Sequence, residues 1–175
     1  MVKSSKNQME QDEKKILSEL MKNAKENIDT IAKRCGFSRQ KAWRIIKQLE
    51  AKKLIWGYTA IFDEEKIGLI HFILMLKRTT RQAEEKEVDI IVSRKTEDLA
   101  KEMGINIESS AYLHGEYDWI MTFTAENLTK AKKFSDTVIA LYPDSIEKIT
   151  IMQTLMFMRK HYVLNPDRKK LKDFM

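Results

Sequence analysis

The spacing of the apolar residues changes near residue 57, and this change restricts the fold more than any other feature. Before it, apolar side chains recur every three or four residues, the period of one helix face. After it, short apolar runs of strand length alternate with helical patterns. With 175 residues the chain has room for one or two domains. The pattern therefore predicts an α+β protein with a helical N-terminal part.

Three short helices are predicted in the first part. Residues 1–11 are polar and expected to be irregular, and the first helix is predicted to open at Asp12. Asn27 is expected to cap the second helix, Gly36 to end it, and Ser38 to cap the third. The predicted inward-facing residues are Ile16, Leu17, Leu20, Met21, Ala24, Ile28, Ile31, Ala32, Ala42, Ile45, Ile46 and Leu49.

The second part has the element order β-α-β-β-α-β. This is the ferredoxin-like arrangement, an antiparallel sheet with both helices on one face. Tyr58–Phe62 is predicted to be a strand that precedes it, and the domain boundary is placed between Phe62 and Gly68. The six elements are predicted at residues 71–77, 82–103, 105–113, 117–124, 128–141 and 146–158. Val88, Ile91, Val92, Lys95, Leu99 and Met103 are expected to line one side of the first helix.

The last predicted strand is apolar on both faces. Ile149, Ile151, Leu155 and Phe157 fall on one side, and Met152, Met156 and Met158 fall on the other with Thr150 and Thr154. A sheet covered on one face only alternates apolar and polar residues. Since no further predicted helix is left to cover the second face, we expect a second subunit there and hence a homodimer.

Residues 28–49 have the spacing of a helix-turn-helix. Ala32 is small where two helices cross, and Gly36 follows at a turn that requires positive φ. In this motif the second helix, here running to about Lys52, enters the major groove of DNA and contacts base edges. Arginine pairs with guanine and glutamine with adenine, each pair contributing about 1–3 kcal/mol of discrimination. The candidate DNA-binding residues are Ser38, Arg39, Gln40, Lys41, Trp43, Arg44, Lys47 and Lys52, with Lys33, Arg34 and Lys53 as further phosphate contacts.

The charge distribution favours a polyanionic partner for this part. Residues 1–60 carry 14 Lys and Arg against 7 Asp and Glu, whereas residues 61–175 carry 18 against 19. The alternative is a plain three-helix bundle with a solvated basic face. Trp43 is then either a contact for the partner or a cover for the first helix.

One segment resembles the DNA-binding half of the Lrp/AsnC (feast/famine) family of prokaryotic transcription regulators: IAKRCGFSRQKAWRIIKQLEAKKLIWGYTAIFDEEKIGL. The second half resembles the family's βαββαβ regulatory domain, and the turn His114-Gly115-Glu116-Tyr117-Asp118 matches its Gly-x-x-Asp element. The resemblance implies a winged-helix-like DNA-binding domain, dimers joined through their sheets, assembly into octamers and modulation by amino acids. The chain departs from the family at Ile45, where an arginine is usual, at Lys53, where a glycine is common, and at Ile151, where a threonine often stands. The first regulatory helix, within residues 79–103, also looks longer.

The resemblance gives a candidate effector site. Gly115 and Asp118 are placed to hold an ammonium group near the subunit interface, although Asp118 could instead cap the hairpin turn. The full set of candidate effector-binding residues is Gly115, Tyr117, Asp118, Thr150 and Thr154.

Common catalytic and metal signatures are not found in the sequence. There is no Walker loop, Rossmann glycine pattern, Gly-x-Ser-x-Gly or paired CxxC, so we expect no enzyme activity and no cofactor. The three histidines have no metal-ligand spacing. The single cysteine, Cys35, is expected to be inert core in a reducing cytoplasm. We see no signal peptide, and the longest apolar run, Phe72–Leu76, is too short to span a membrane.

These observations predict three segments and one main function. Residues 1–62 form a helix-turn-helix domain with a linking strand, residues 68–158 a ligand-binding and oligomerisation domain, and residues 159–175 a basic tail that is a loose extension or a short helix. The predicted function is a cytoplasmic, sequence-specific DNA-binding transcription regulator of Lrp/AsnC type that forms dimers or octamers. The alternatives are an enzyme similar to the sirohaem decarboxylases and a metabolite-sensing module that does not bind DNA.

Overall fold

The computed structural model describes residues 6–175, except for the Lys6 side chain, and the chain divides into two compact units. The first unit combines the residues up to Ile61 with the C-terminal segment Phe157–Met175, and the second unit is Phe62–Met156. The division lies just before the segment in which the sequence places the domain boundary. None of the helices in residues 6–175 has the length and apolar character needed to cross a bilayer.

Three helices form most of the first unit: α1 (Lys6–Lys22), α2 (Ile28–Cys35) and α3 (Arg39–Ala51). The predicted caps are confirmed. The Asn27 side chain accepts a hydrogen bond from the first turn of α2, and Gly36 ends this helix. The core residues are Ile16, Ile31, Ala32, Cys35, Ala42, Ile45 and Leu49. The predicted inward positions Met21 and Ala24 are exposed; Met21 lies in the last turn of α1, and Ala24 lies beyond the end of the helix.

The start of α1 differs from the prediction. The helix begins at Lys6 rather than Asp12, so residues 6–11 are helical, while the rest of the segment expected to be irregular lies outside the described residues. The added turns are polar and have no apolar face to signal a helix. The Gln8 amide donates to a carboxylate oxygen of Asp12 one turn later, at 3.1 Å, which is the i,i+4 contact of a helix surface.

The prediction of a strand at Tyr58–Phe62 is wrong. Residues 58–62 have no regular secondary structure and pair with no strand among the described residues, and both Tyr58 and Phe62 are more than half exposed. A strand needs a neighbouring strand for its backbone hydrogen bonds. A residue pattern that favours a strand does not guarantee that such a neighbour is present. A side-chain bond from the Tyr58 hydroxyl to Glu50 Oε1, at 3.0 Å, ties this segment to α3.

The second unit has the ferredoxin-like fold predicted from the element order. Its elements are β1 (Ile70–Arg78), α4 (Glu85–Val92), α5 (Lys95–Glu102), β2 (Asn106–Tyr112), β3 (Trp119–Ala125), α6 (Leu128–Leu141) and β4 (Ile146–Gln153). A short 3-10 turn, Glu65–Ile67, precedes β1. The four strands form one antiparallel sheet in the order β2-β3-β1-β4.

The helices cover one face of this sheet and bury an aromatic core. Phe72 on β1 stacks on Phe123 of β3 at 5.6 Å between ring centroids. Phe134 of α6 meets Phe123 edge to face at 5.1 Å. Because all three rings are fully buried, they fix α6 against the centre of the sheet.

The single helix predicted over residues 82–103 is instead two helices. α4 and α5 are separated at Ser93 and Arg94, and Arg94 has φ 63°, the left-handed conformation that interrupts a helix. The predicted apolar stripe is interrupted as well, since Val92 is 75% exposed. In its place Glu87, Thr96 and Ala100 are the buried residues of these helices.

The last strand is shorter than predicted. β4 ends at Gln153, so the residues from Leu155 to Met158 are not part of the sheet. Its apolar residues nevertheless alternate as expected, because Ile149 and Ile151 pack into the core while Thr150 and Met152 lie on the open face. The open face also carries Ile73, Met75, Ile120 and Thr122, whose neighbours along each strand pack into the core.

The C-terminal segment is ordered and belongs to the first unit. A short hairpin forms from β5 (Arg159–Lys160) and β6 (Val163–Leu164), followed by a 3-10 helix at Arg168–Phe174. The expectation of a short added helix is therefore met, whereas the hairpin and its grouping with the N-terminal helices were not foreseen.

Candidate nucleic-acid interface

The turn between α2 and α3 has the geometry of a helix-turn-helix. Gly36 adopts φ 72°, in the left-handed region that glycine enters without steric cost. The Phe37 amide donates back to the Ala32 carbonyl at 2.8 Å, which closes the end of α2. Ser38 then accepts from the Lys41 amide at 3.2 Å and starts α3. Ala42 of α3 is fully buried, so its small side chain lets α3 pack closely on the other helices.

The outer face of α3 is polar and exposed, as predicted. Ala42, Ile45 and Leu49 are buried beneath it. Trp43 is 56% exposed, so most of its surface is open to a partner. The exposed side chains of α3 that face solvent are Arg39, Gln40, Trp43, Arg44, Lys47 and Gln48.

Lys41 is the exception among the candidate DNA-binding residues. Its ammonium group lies 2.6 Å from Oδ2 of Asp12 and 4.2 Å from the centre of the Phe37 ring. Asp12 is only 4% exposed, and this partner holds the pKa of the carboxyl below its ordinary value against the opposing effect of burial. Lys41 therefore joins α1 to α3, and a DNA contact from it stays a prediction.

Several other basic side chains of the motif carry surface ion pairs. Exposed pairs contribute little to stability, about 1 kcal/mol or less, so phosphate groups can replace their carboxylates. Arg44 is different, since it forms no ion pair within residues 6–175. The pairs are Lys52 with Glu13 at 2.7 Å, Arg39 with Asp29 at 3.0 Å, Lys47 with Glu50 at 2.7 Å and Arg34 with Glu19 at 3.4 Å.

The grouping of the chain into units sharpens its charge asymmetry. The unit that contains α3 gathers residues 1–61 and 157–175, with 20 Lys and Arg against 9 Asp and Glu, a net charge of +11. The other unit has 12 against 17, a net charge of −5. The net positive charge of the helix-turn-helix unit attracts the phosphate groups of a polyanion.

The candidate effector residues are found in two separate places on the second unit. The Tyr117 hydroxyl lies 3.5 Å from that of Thr150, and the ammonium group of Lys148 lies 5.7 Å from the Tyr117 ring. Thr154 instead contacts the buried His71, with 2.7 Å between Oγ1 and Nδ1, and His71 Nε2 lies 3.4 Å from Glu108.

Asp118 has a structural contact of its own. Its Oδ2 accepts a hydrogen bond from the Arg78 amide at 2.7 Å, which fixes the end of β1 against the turn. Gly115 in the same turn has φ 155°. Within the described chain, no three His, Cys, Asp or Glu side chains are grouped as a metal site would need. The Cys35 thiol is buried, and burial raises its pKa, which makes it less reactive.

Comparisons with known proteins agree with this geometry. Residues 13–55 match the family described as winged helix-turn-helix DNA-binding, so the chain has a helix-turn-helix DNA-binding domain. Over most of its length the chain also superposes on solved regulators. An AsnC family transcriptional regulator from Agrobacterium tumefaciens matches with TM-score 0.63 and 16% identity, over 89% of this chain and 96% of that one. A transcriptional regulator from Neisseria meningitidis, solved in complex with L-Met, matches with TM-score 0.66 and 19% identity, over 88% and 94%.

The chain has the Lrp/AsnC fold. The resemblance noted in the sequence is thus confirmed for the fold of both halves. A curated relative, the proline dehydrogenase transcriptional activator of Rhodobacter capsulatus, is 23% identical over 133 residues, which cover 75% of this chain and 80% of that protein.

Two departures from the Lrp/AsnC pattern now have a structural meaning. Ile45, where the family usually has arginine, is buried in the core of the first unit, so this position does not face outward. Lys53, where a glycine is common, has φ 56°, the backbone conformation that glycine adopts most easily. Lys53 therefore holds a backbone conformation that is strained for a residue with a side chain.

Sequence reasoning missed the acidic partners on α1. Asp12 and Glu13 are adjacent in sequence, yet they bind Lys41 and Lys52 at opposite ends of α3. The sequence contains no local signal for these pairs, because the partners are separated by 29 and 39 positions. Helix packing alone brings them together.

Proposed function

We propose that this chain is a sequence-specific DNA-binding transcription regulator of Lrp/AsnC type, acting as a homodimer or a larger assembly under the control of a small metabolite. The observation that carries the proposal is the exposed face of α3. Gln40, Arg44 and Lys47 project from it at helical spacing behind a fully buried inner face. A rigid helix with guanidinium and amide groups on its outer side has the chemistry that recognises base edges in a major groove.

Arg44 and Gln40 are proposed to contact bases. A side chain that contacts a base must first break any ion pair that it forms in the free protein. Arg44 forms no ion pair among the described residues, so it has none to break. Lys47, Lys52 and Arg39 are proposed to exchange their surface carboxylates for phosphates. These contacts add affinity and salt dependence but little sequence preference.

A second copy of the chain is proposed to cover the open face of the sheet. Ile73, Met75, Ile120 and Met152 lie on this face and are at most partly buried in one chain. Apolar residues in such a patch favour association. A two-fold dimer would present two α3 helices to successive major grooves about 10 bp apart, or a multiple of that, so the operator would be a pseudo-palindrome.

An amino acid is the proposed effector. The Neisseria meningitidis regulator of this fold was solved with L-Met. Asp118 Oδ1 accepts no hydrogen bond from the described residues, which leaves it open to an ammonium group. Gly115, Tyr117, Thr150 and Thr154 complete the proposed set, and the effector would couple metabolite level to DNA occupancy.

The test is a selection of bound DNA from a random pool, with and without a set of amino acids. It is followed by anisotropy titrations on the selected site and on an unrelated duplex. We expect Arg44→Ala to weaken binding to the selected site by roughly 5- to 150-fold, equivalent to about 1–3 kcal/mol, with little change on the unrelated duplex. Lys52→Ala should weaken both about equally.

Lys133→Ala provides the matched control, because this exposed lysine lies on α6 of the other unit. It should leave both affinities unchanged. The proposal fails if the purified protein shifts no promoter DNA at low salt, or if Arg44→Ala weakens both duplexes to the same extent.

A further inference from the structure

A cavity of about 250 Å³ lies between the helices and the sheet of the second unit. Leu76 and Met121 form its floor on the helix-facing side of the sheet, and Val88 and Ile91 of α4 form its roof. The cavity is separate from the Tyr117–Thr150 contact, since Thr150 lies on the opposite face of the sheet. Its walls are mostly apolar, as in the small-molecule sites of proteins.

The separation of α4 from α5 makes room for the cavity. α4 is held at its start rather than along its length. Glu87 Oε1 accepts from the Arg81 guanidinium at 2.6 Å and from the Ser145 hydroxyl at 2.5 Å, while its Oε2 caps α4 through the Glu84 amide at 2.9 Å. These bonds tie the first turn of α4 to Arg81 and to Ser145, just before β4, and neutralise the Glu87 carboxylate at that end of the cavity.

One wall of the cavity is aromatic. Trp119 and Tyr112 meet edge to face with ring centroids 5.8 Å apart, and the Trp119 indole donates to the Ser110 hydroxyl at 2.7 Å. Aromatic walls favour a flat, apolar ligand. A benzene ring occupies a cavity of about 150 Å³, so roughly 100 Å³ remains for a short substituent.

The basic side chain that lines the cavity is Arg78. Its guanidinium donates only to the Tyr112 hydroxyl at 3.5 Å and to the Arg81 carbonyl at 3.2 Å, and it binds no carboxylate within residues 6–175. A half-buried guanidinium with neutral partners favours an anion, because a carboxylate accepts two of its N–H groups at once. Glu97 also lines the cavity, so the test below includes a cationic analogue of the ligand.

We propose that this cavity binds a small aromatic carboxylate, with the ring against Trp119 and Tyr112 and the carboxylate on Arg78. The site lies inside one chain and needs neither DNA nor a second subunit. Ligand binding at this site can therefore be tested independently of the proposed transcriptional function.

The test is calorimetric titration of the full-length protein with phenylacetate in the absence of DNA. We expect one ligand per chain and binding at least about tenfold tighter than that of phenylacetamide, which has the same ring and no charge. Arg78→Gln should weaken phenylacetate binding at least tenfold. Ala83→Trp, which fills the cavity from an exposed position on its rim, should abolish it.

Lys77→Gln is the matched control. It removes one positive charge from the neighbouring position of β1, where the side chain pairs with Glu147 at 2.8 Å and does not line the cavity. Its affinity for phenylacetate should stay within twofold of the unmodified protein. The proposal is overturned if phenylacetate gives no binding heat, if 2-phenylethylamine binds more tightly than phenylacetate, or if Ala83→Trp binds phenylacetate normally. If Arg78→Gln does not fold, the proposal is still tested by the comparison of 2-phenylethylamine with phenylacetate and by the titration of Ala83→Trp.

Discussion

The contact between Asp12 and Lys41 joins α1 to α3, and its contribution to the stability of the first unit can be predicted. Lys41→Met keeps the aliphatic stem on Phe37 and removes the charge, and Asp12→Asn keeps the shape and removes the partner charge. We expect each single substitution to lower the free energy of unfolding. The decrease in the double variant should be smaller than the sum of the two single decreases.

The size of the effect follows from the burial of the two groups. Breaking a fully buried ion pair by removing one partner costs about 3–5 kcal/mol, whereas exposed pairs contribute about 1 kcal/mol or less. Asp12 is 4% exposed, but the Lys41 side chain is 38% exposed and its charge is partly screened by water. We therefore expect a coupling free energy of about 1.5 kcal/mol at neutral pH.

The coupling should depend on pH in a defined direction. Because Lys41 lowers the pKa of Asp12, the stabilisation is complete above the ordinary carboxyl pKa of 3.8 and is lost as the pH falls below it, through the lowered value. The assay is urea unfolding in a Trp119→Phe background, which leaves Trp43 and Trp56 of the first unit as the only tryptophans. A coupling under about 0.3 kcal/mol at pH 7, or one that grows on acidification, would refute the reasoning.

Three further predictions concern backbone strain, core packing and a buried carboxylate. Lys53→Gly should stabilise the protein by about 0.5 kcal/mol in urea unfolding, since glycine relieves the left-handed strain, whereas Ala51→Gly at the end of α3 should destabilise it by up to about 1 kcal/mol. Phe134→Ala should cost about 3–5 kcal/mol, because the ring is fully buried, and a near-native melting temperature would contradict this. Glu87→Gln should cost about 1–3 kcal/mol at pH 7 and less in acid. The Ser145 hydroxyl and the amide of Glu84 lower the pKa of Glu87, so its contribution disappears as the pH drops below the ordinary 4.5; an equal cost at all pH values would argue against it.

Much of the fold could be predicted from local features of the sequence. Asn27, Gly36 and Ser38 end or begin helices through contacts within a few residues, so their roles can be predicted from residue type alone. The β-α-β-β-α-β order was also predictable, because each element carries its own period of apolar residues. By contrast, the break at Arg94 has no such signal, since nothing in the local composition requires a left-handed residue there.

The candidate DNA-binding face was predictable for the same reason. The buried positions of α3 repeat at helical spacing, and this fixes which side of the helix faces outward. What could not be predicted is which of its cations are engaged elsewhere. Lys41 and Arg44 look equivalent in the sequence, but only Lys41 meets a buried carboxylate, which comes from a helix 29 positions away.

The sequence by itself determined the helix-turn-helix, the order of the elements and the excess of positive charge near the start of the chain, because these depend on short-range periodicity and composition. Only the tertiary structure decided that the basic tail joins the helix-turn-helix unit, that two acidic residues of α1 bind lysines of α3, and that α4 stands off the sheet over a cavity. Each of these depends on contacts between residues far apart in the chain, whose free energy arises only when both partners are already held in place by the fold.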